Sequence, residues 1–208
     1  MCGYPPAGEP SEFAKQLHQI WGFASAEEAI RMRRAEDEKA AGILGAKAVH
    51  FDFLDCIYRR GVNGEWLYSG ISFAPQADDA GLPQQIADAI SARLLPDDVL
   101  VCQLSVGSNV DHVLVRQAAE LLGRPLFYDI DVPYIFYKSE ELEPKSAGMK
   151  EETHRITEAG LKSWKEAVLA YASQISALGI AFDAPEKAEE SIQSYWEEWK
   201  GVRLLQVD

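Results

Sequence analysis

No stretch of about 18 consecutive apolar residues occurs in the sequence, so it offers no transmembrane helix. The opening Met1-Cys2-Gly3-Tyr4-Pro5-Pro6 has neither a basic region nor an apolar run, and is not read as a signal peptide. Cys2 stands where N-myristoylation needs Gly. Cysteine is scarce. Cys2, Cys56 and Cys102 are odd in number, widely spaced and form no CxxC pair, which fits reduced thiols in a cytoplasmic protein and no structural zinc. The glycine patterns of nucleotide-binding loops, GxGxxG and the P-loop, are missing too, which weighs against a nucleotide-binding α/β domain. Positive charge is in short supply: 20 basic against 33 acidic side chains give a net charge of -13. That balance argues against nucleic-acid partners and anionic membrane surfaces, and otherwise serves solubility.

What is present is ordinary for a globular protein: 208 residues, 47% apolar and 25% charged, enough for one domain with a substantial core. Residues 1–11 carry Gly3, Pro5, Pro6, Gly8 and Pro10 and read as loop. A short helical pattern covers Glu12 to Trp21. The capping box Ser25-Ala26-Glu27-Glu28 starts a helix from Ala26 to about Leu44, with Ile30, Ala40, Ala41 and Leu44 near its apolar side, and Gly45 ends it. Val49, Phe51 and Phe53 alternate with polar residues, which predicts a strand. Residues 56–82 look irregular, and a helix with Pro83 in its first turn runs to Leu94. Val99 to Leu104 reads as a strand buried on both faces, Val110 to Leu122 as a helix closed by Gly123, and Leu126-Phe127-Tyr128 as a strand. Beyond residue 138 the pattern predicts a long amphipathic helix from Glu151 to Leu178, with Leu161, Trp164, Val168, Tyr171 and Ile175 on one side. A helix from Pro185 to Lys200 and a final strand from Val202 to Val207 complete the chain.

Alternating strands and helices predict an α/β fold with a mostly parallel sheet, whose ligands bind beyond the carboxyl ends of the strands. Three loops leave such ends, carrying Asp55, then Ser105 to His112, then Asp129 and Asp131. The sharpest constellation is Ser108-Asn109-Val110-Asp111-His112, between a strand and a helix. There the dipole favours the carboxylate and the imidazole can face the cleft. On spacing alone, a capping Asp and a surface His are the commoner explanation.

That segment resembles the His-x-Asp-His signature of the PIG-L/LmbE-like deacetylases. Four further pieces follow the family's order. Arg33-Arg34-Ala35-Glu36 with Leu44-Gly45 resembles its Arg-x-x-Glu helix, and Phe53-Leu54-Asp55 with Tyr58-Arg59 the strand and loop that follow. Tyr128 with Asp131-Val132-Pro133-Tyr134 resembles its Tyr-x-Asp-x-Pro-Tyr run, with one extra residue, and Tyr171-Ala172-Ser173-Gln174 its Tyr-x-Ser-Gln helix. The resemblance implies a single Rossmann-like domain, with residues 1–137 as α/β core and 138–208 as a helical extension and final strand. It implies a zinc-dependent hydrolase of the acetamide in N-acetylated sugars or glycoconjugates, in the cytoplasm. His112 would be a zinc ligand, Asp111 would orient position 109, Asn109 would serve the oxyanion, and Arg33 and Asp55 would contact the sugar.

Two departures stand out. Position 109 is Asn where the family has His; Asn can donate a hydrogen bond but no proton. The family's His-Pro-Asp-Asp, source of two zinc ligands and the general base, is absent, since none of His18, His50 and His154 precedes Pro-Asp. The expectation is therefore a domain that lacks its first strands, binds zinc weakly and is inactive alone, with a non-catalytic sugar-binding or relic domain as the alternative. His18 and His154 are read as solvated helix residues and His50 as a polar strand position. The helix-rich C-terminal third is also a candidate for oligomer formation.

Overall fold

A computed structural model of the chain describes residues 3–177 and 185–207. The chain divides into two compact units, residues 1–58 with 155–202 and residues 59–154 with 203–208.

The first unit is helical. α1 (Glu12–Trp21) is capped by Ser11, whose hydroxyl accepts from Ala14 N–H, and it ends at Gly22 in the left-handed conformation. α2 (Ala26–Ile43) starts at the expected capping box, with Ser25 Oγ accepting from Glu28 N–H and Glu28 reaching back to Ala24 N–H. α6 (Glu158–Leu169), capped by Thr157, packs on α2 where three small residues, Ala40, Ala167 and Ala170, meet and let the backbones approach. α7 (Ala172–Ala177) is tied to α2 by Glu36, which accepts from Ser173 N–H at 2.8 Å and Ser173 Oγ at 2.7 Å. α8 (Pro185–Trp199) packs on α6 through Tyr195, edge-on to Trp164.

The second unit holds the sheet. β1 (Leu100–Gln103) runs parallel to β2 (Leu126–Asp129), and β2 runs antiparallel to β4 (Gly201–Val207), which lies beside β3 (Met149–Arg155) in the order β1-β2-β4-β3. The sheet is thus mixed, with helices beside it. α4 (Val110–Leu121) packs on β1, and α3 (Leu82–Ser91) packs on α4. A short α5 (Leu142–Ser146) precedes β3. No helix among the described residues is long and apolar enough to cross a membrane.

Four expectations need correction. Residues 49–53 are assigned to no strand, and among the described residues Gly3 N–H donates to Phe53 C=O at 2.8 Å. Alternation makes a strand only when a neighbour supplies the ladder. β1 is not buried on both faces; it is the edge of the described sheet, and Val101 is 52% exposed. The long helix from Glu151 is instead β3 followed by α6 and α7, broken at Thr157 and Ala170; Leu178 lies outside the described residues. β3 reads Met-Lys-Glu-Glu-Thr-His-Arg, with no apolar alternation to announce it. His18 is buried in the first unit, and His154 lies in β3, edge-on to Phe127.

The second unit is held below its loops by one buried cation. Arg59 Nε lies 2.9 Å from Asp79 and its Nη1 2.6 Å from Asp111, while its guanidinium faces the Tyr68 ring. Tyr68 Oη also donates to Asp79 at 2.6 Å. Arg59 pairs with both carboxylates, and removing one partner of a buried pair costs about 3–5 kcal/mol. Arg59→Met should lower the unfolding free energy by that order, whereas exposed Arg31→Met should change it by less than about 0.5 kcal/mol. Urea unfolding of both variants checks this.

Candidate functional site

Asn109 is the N-cap of α4. Its Oδ1 accepts from Asp111 N–H at 2.9 Å, in extended backbone geometry. That bond uses the amide oxygen and leaves the NH₂ group as a donor. Asp111 is therefore joined to Asn109 through its backbone N–H, while its carboxylate takes Arg59. At the next residue, His112 Nδ1 lies 3.2 Å from Asp131 Oδ1. A carboxylate only accepts, so Nδ1 carries a proton, and in the neutral ring Nε2 is the nitrogen with the lone pair. The Asp131 side chain is fully buried, and its second oxygen accepts from Val106 N–H at 2.9 Å. One carboxylate thus orients both the imidazole and the loop before α4. A ligating His has this kind of carboxylate partner behind it.

The loop between β1 and α4 is unusual in its backbone. Ser105, Gly107 and Ser108 all have positive φ, at 68°, 83° and 53°. Gly107 is needed twice over, since a Cβ there would collide with the Tyr134 ring, which itself lies edge-on to His112 at 5.4 Å. Asp131 is also left-handed, with φ 58°, and its N–H is accepted by Asp129 Oδ1 at 3.1 Å.

In the first unit, Arg33 Nη1 lies 2.9 Å from Asp55 Oδ2 and its guanidinium covers the Trp21 ring. Burial alone would push the Asp55 carboxyl up. The charge and hydrogen bond of Arg33, with the Ile57 N–H, outweigh it and hold that carboxyl below its ordinary value. His18 Nε2 lies 2.6 Å from Tyr58 Oη. Burial lowers the His18 pKa and, with the Asp55 charge, raises that of Tyr58. His50 is paired with Asp37 at 3.0 Å.

The structure therefore brings Asn109, Asp111, His112 and Asp131 together at one helix end of the second unit, and pairs Arg33 with Asp55 in the first. The sequence reading missed Arg59 as the partner of Asp111, and missed Glu141 and Lys145 against the Ser105–Ser108 loop. The latter two lie in a charged stretch that looks like solvated surface, and nothing in their spacing marks them. As for zinc, His112 with Asp131 behind it fits one corner of a catalytic site. Such a site takes three protein ligands, so this imidazole does not by itself make one.

Burial first, and the neighbouring Asp131 charge second, push the Asp129 carboxyl up to about 6 from an ordinary 3.8. A folded-state pKa above the unfolded one means that the stabilisation is full below pH 4 and lost as pH rises through 6. Asp129→Asn keeps an acceptor for Asp131 N–H and removes that loss. In metal-free protein it should gain on the order of 2–3 kcal/mol over the parent at pH 8 and almost nothing at pH 4. Chemical denaturation at the two pH values measures the difference.

No protein-family model matches the sequence, and no curated protein matches it either. Solved structures do match. A deacetylase–bog complex from the teicoplanin biosynthesis pathway aligns over 99% of this chain and 83% of its own, with TM-score 0.82 and 25% identity. The zinc-inhibited form of teicoplanin deacetylase Orf2 aligns over 99% and 84%, with TM-score 0.80 and 23% identity. The A40926 pseudoaglycone deacetylase Dbv21 aligns over 99% and 81%, with TM-score 0.72 and 26% identity. With this likeness along nearly its whole length, the chain has the LmbE-like α/β deacetylase fold: a mixed four-stranded sheet with flanking helices.

Proposed function

We propose that this chain is a PIG-L/LmbE-like deacetylase domain that hydrolyses the acetamide of an N-acetylated sugar or glycoconjugate, and that the 208 residues alone are inactive. The observation that carries the reading is the His112–Asp131 pair at the N-terminus of α4, in the segment that resembles His-x-Asp-His. The likeness to teicoplanin and A40926 pseudoaglycone deacetylases supports the substrate class.

In this reading His112 would hold the metal, with Asp131 fixing the ring. Zinc, once bound, would polarise the acetamide carbonyl and lower the pKa of a water. Asn109, its oxygen used by the helix cap, turns its NH₂ toward the oxyanion. It delivers no proton to the departing amine, a loss worth about 10²–10⁴ in rate. Arg33 and Asp55, already paired, present hydrogen-bonding groups for sugar hydroxyls. The two further ligands and the general base belong to a His-Pro-Asp-Asp segment that these residues do not include. The open edge of β1 supports a further strand beside it. The second reading is a non-catalytic sugar-binding domain on the same rim, and Asn109 in place of His favours it.

The test is a fusion. A strand–His-Pro-Asp-Asp–helix–strand segment from a close relative, placed ahead of Cys2, should yield metal-dependent acetate release from an N-acetylglucosamine conjugate. His112→Ala should abolish it, and Asn109→His should raise it by about tenfold or more. A fusion that folds and binds zinc, yet releases no acetate from a panel of acetylated sugars, would leave the sugar-binding reading.

A further inference from the structure

The Ser105–Ser108 loop, which positions both Asn109 and His112, holds three left-handed residues in four. Such backbone persists only where its surroundings over-determine it. The Ser105 hydroxyl does not do so, since it is buried and has no hydrogen-bond partner among the described residues. Two side chains from beyond the sheet do. Lys145 Nζ donates to the Ser105 carbonyl and, at 2.9 Å, to Ser108 Oγ. Glu141 Oε2 accepts from Gly107 N–H and from Ser108 Oγ, each at 3.1 Å, and pairs with Lys145 at 3.0 Å. One carboxylate and one ammonium therefore grip every residue of the loop except Val106, and Val106 is the one held by Asp131. Burial acts against the Glu141 charge, but Lys145 and the Gly107 N–H outweigh it and hold the carboxyl below its ordinary value. At neutral pH it is an acceptor only.

We infer that Lys145 and Glu141 are positioning residues for the deacetylase site: their clasp on Ser105, Gly107 and Ser108 sets Val106 N–H against Asp131, and through Asp131 fixes which His112 nitrogen is left to bind metal. The inference rests on the reading of His112 as a ligand. Neither residue touches the reacting atoms. The chain of contacts runs from Lys145 and Glu141 to the loop, from Val106 N–H to Asp131 Oδ2, and from Asp131 Oδ1 to His112 Nδ1. If the clasp is broken, the loop can relax toward ordinary backbone, Val106 N–H leaves Asp131, and the carboxylate is free to rotate off the imidazole.

The experiment reads the His112 tautomer in the ¹⁵N-histidine-labelled 208-residue chain at pH 8, with zinc affinity by chelator competition. The parent should show one His112 tautomer, protonated at Nδ1. Lys145→Met should give a mixture of tautomers and weaken zinc binding by about tenfold, the scale of losing support behind a ligand. Lys145→Arg, which keeps a cationic donor, should restore the single tautomer. Should Lys145→Met not fold, Glu141→Gln carries the same test. A folded Lys145→Met or Glu141→Gln protein with the parent's tautomer and zinc affinity overturns the inference, and a fall in melting temperature alone would mean a merely structural clasp. The fusion separates the two claims. If it releases acetate at the same kcat with and without Lys145→Met, the clasp is wrong and the deacetylase reading stands. If it releases none while the tautomer still responds to Lys145→Met, the deacetylase reading fails and the clasp stands.

Discussion

The buried Asp131 carboxylate is the contact on which the geometry of the helix end depends. Its two oxygens serve different masters: one the imidazole of His112, the other the backbone N–H of Val106. A surface carboxylate could not do this, because water would compete for both lone-pair sets and the ring would turn. Full burial of the side chain removes that competition and makes an unmet lone pair costly, so the arrangement is specific as well as stable. The burial has an electrostatic consequence next door. Asp129 shares the buried patch and gives an oxygen to Asp131 N–H, and it is the carboxyl pushed up.

The same economy appears wherever a charge is buried. Arg59 answers Asp79 and Asp111 together; Arg33 answers Asp55 while stacking on Trp21. Each guanidinium combines a fork of donors with a flat face, which a lysine could not match. Asp111 is instructive. It sits in the first turn of α4, where the helix dipole already favours it, yet it is also the partner of a buried arginine. Its place in the motif thus has a structural reason of its own, separate from any role beside Asn109.

Much of this was legible in the sequence where local chemistry decides. The capping box at Ser25, the stop at Gly45, the helix after Asn109 and the final strand stand where propensity and caps put them. Legibility failed where partners decide. Val49, Phe51 and Phe53 have the alternation of a strand and are assigned to none among the described residues. β3, made of Lys, Glu, Thr, His and Arg, has a ladder and no alternation. At the site, Asn109, Asp111, His112 and Asp131 stood out because two short runs resemble family motifs, since spacing alone is met by a capping Asp and a surface His. Glu141 and Lys145 were not, because a clasp across more than 30 residues leaves no period in a sequence and looks like any charged turn.

Asn109 shows how a local rule and a chemical one compete at a single position. Asn is among the best N-caps, and exchanging such a cap for a poor one costs about 0.5–2 kcal/mol. The cap here is made, with Oδ1 on Asp111 N–H, directly after a loop whose left-handed residues already cost energy. A histidine at 109 caps poorly and would raise that cost, but it could protonate a leaving amine. In the proposed reading, Asn rather than His at 109 favours the start of α4 and supplies no acid. It keeps the donor that an oxyanion needs, because the cap takes only the oxygen of the amide. In the proposed reading, the His112–Asp131 pair, the left-handed loop and the amide donor at 109 are the parts that would bind and position, and Asn109 is no proton donor.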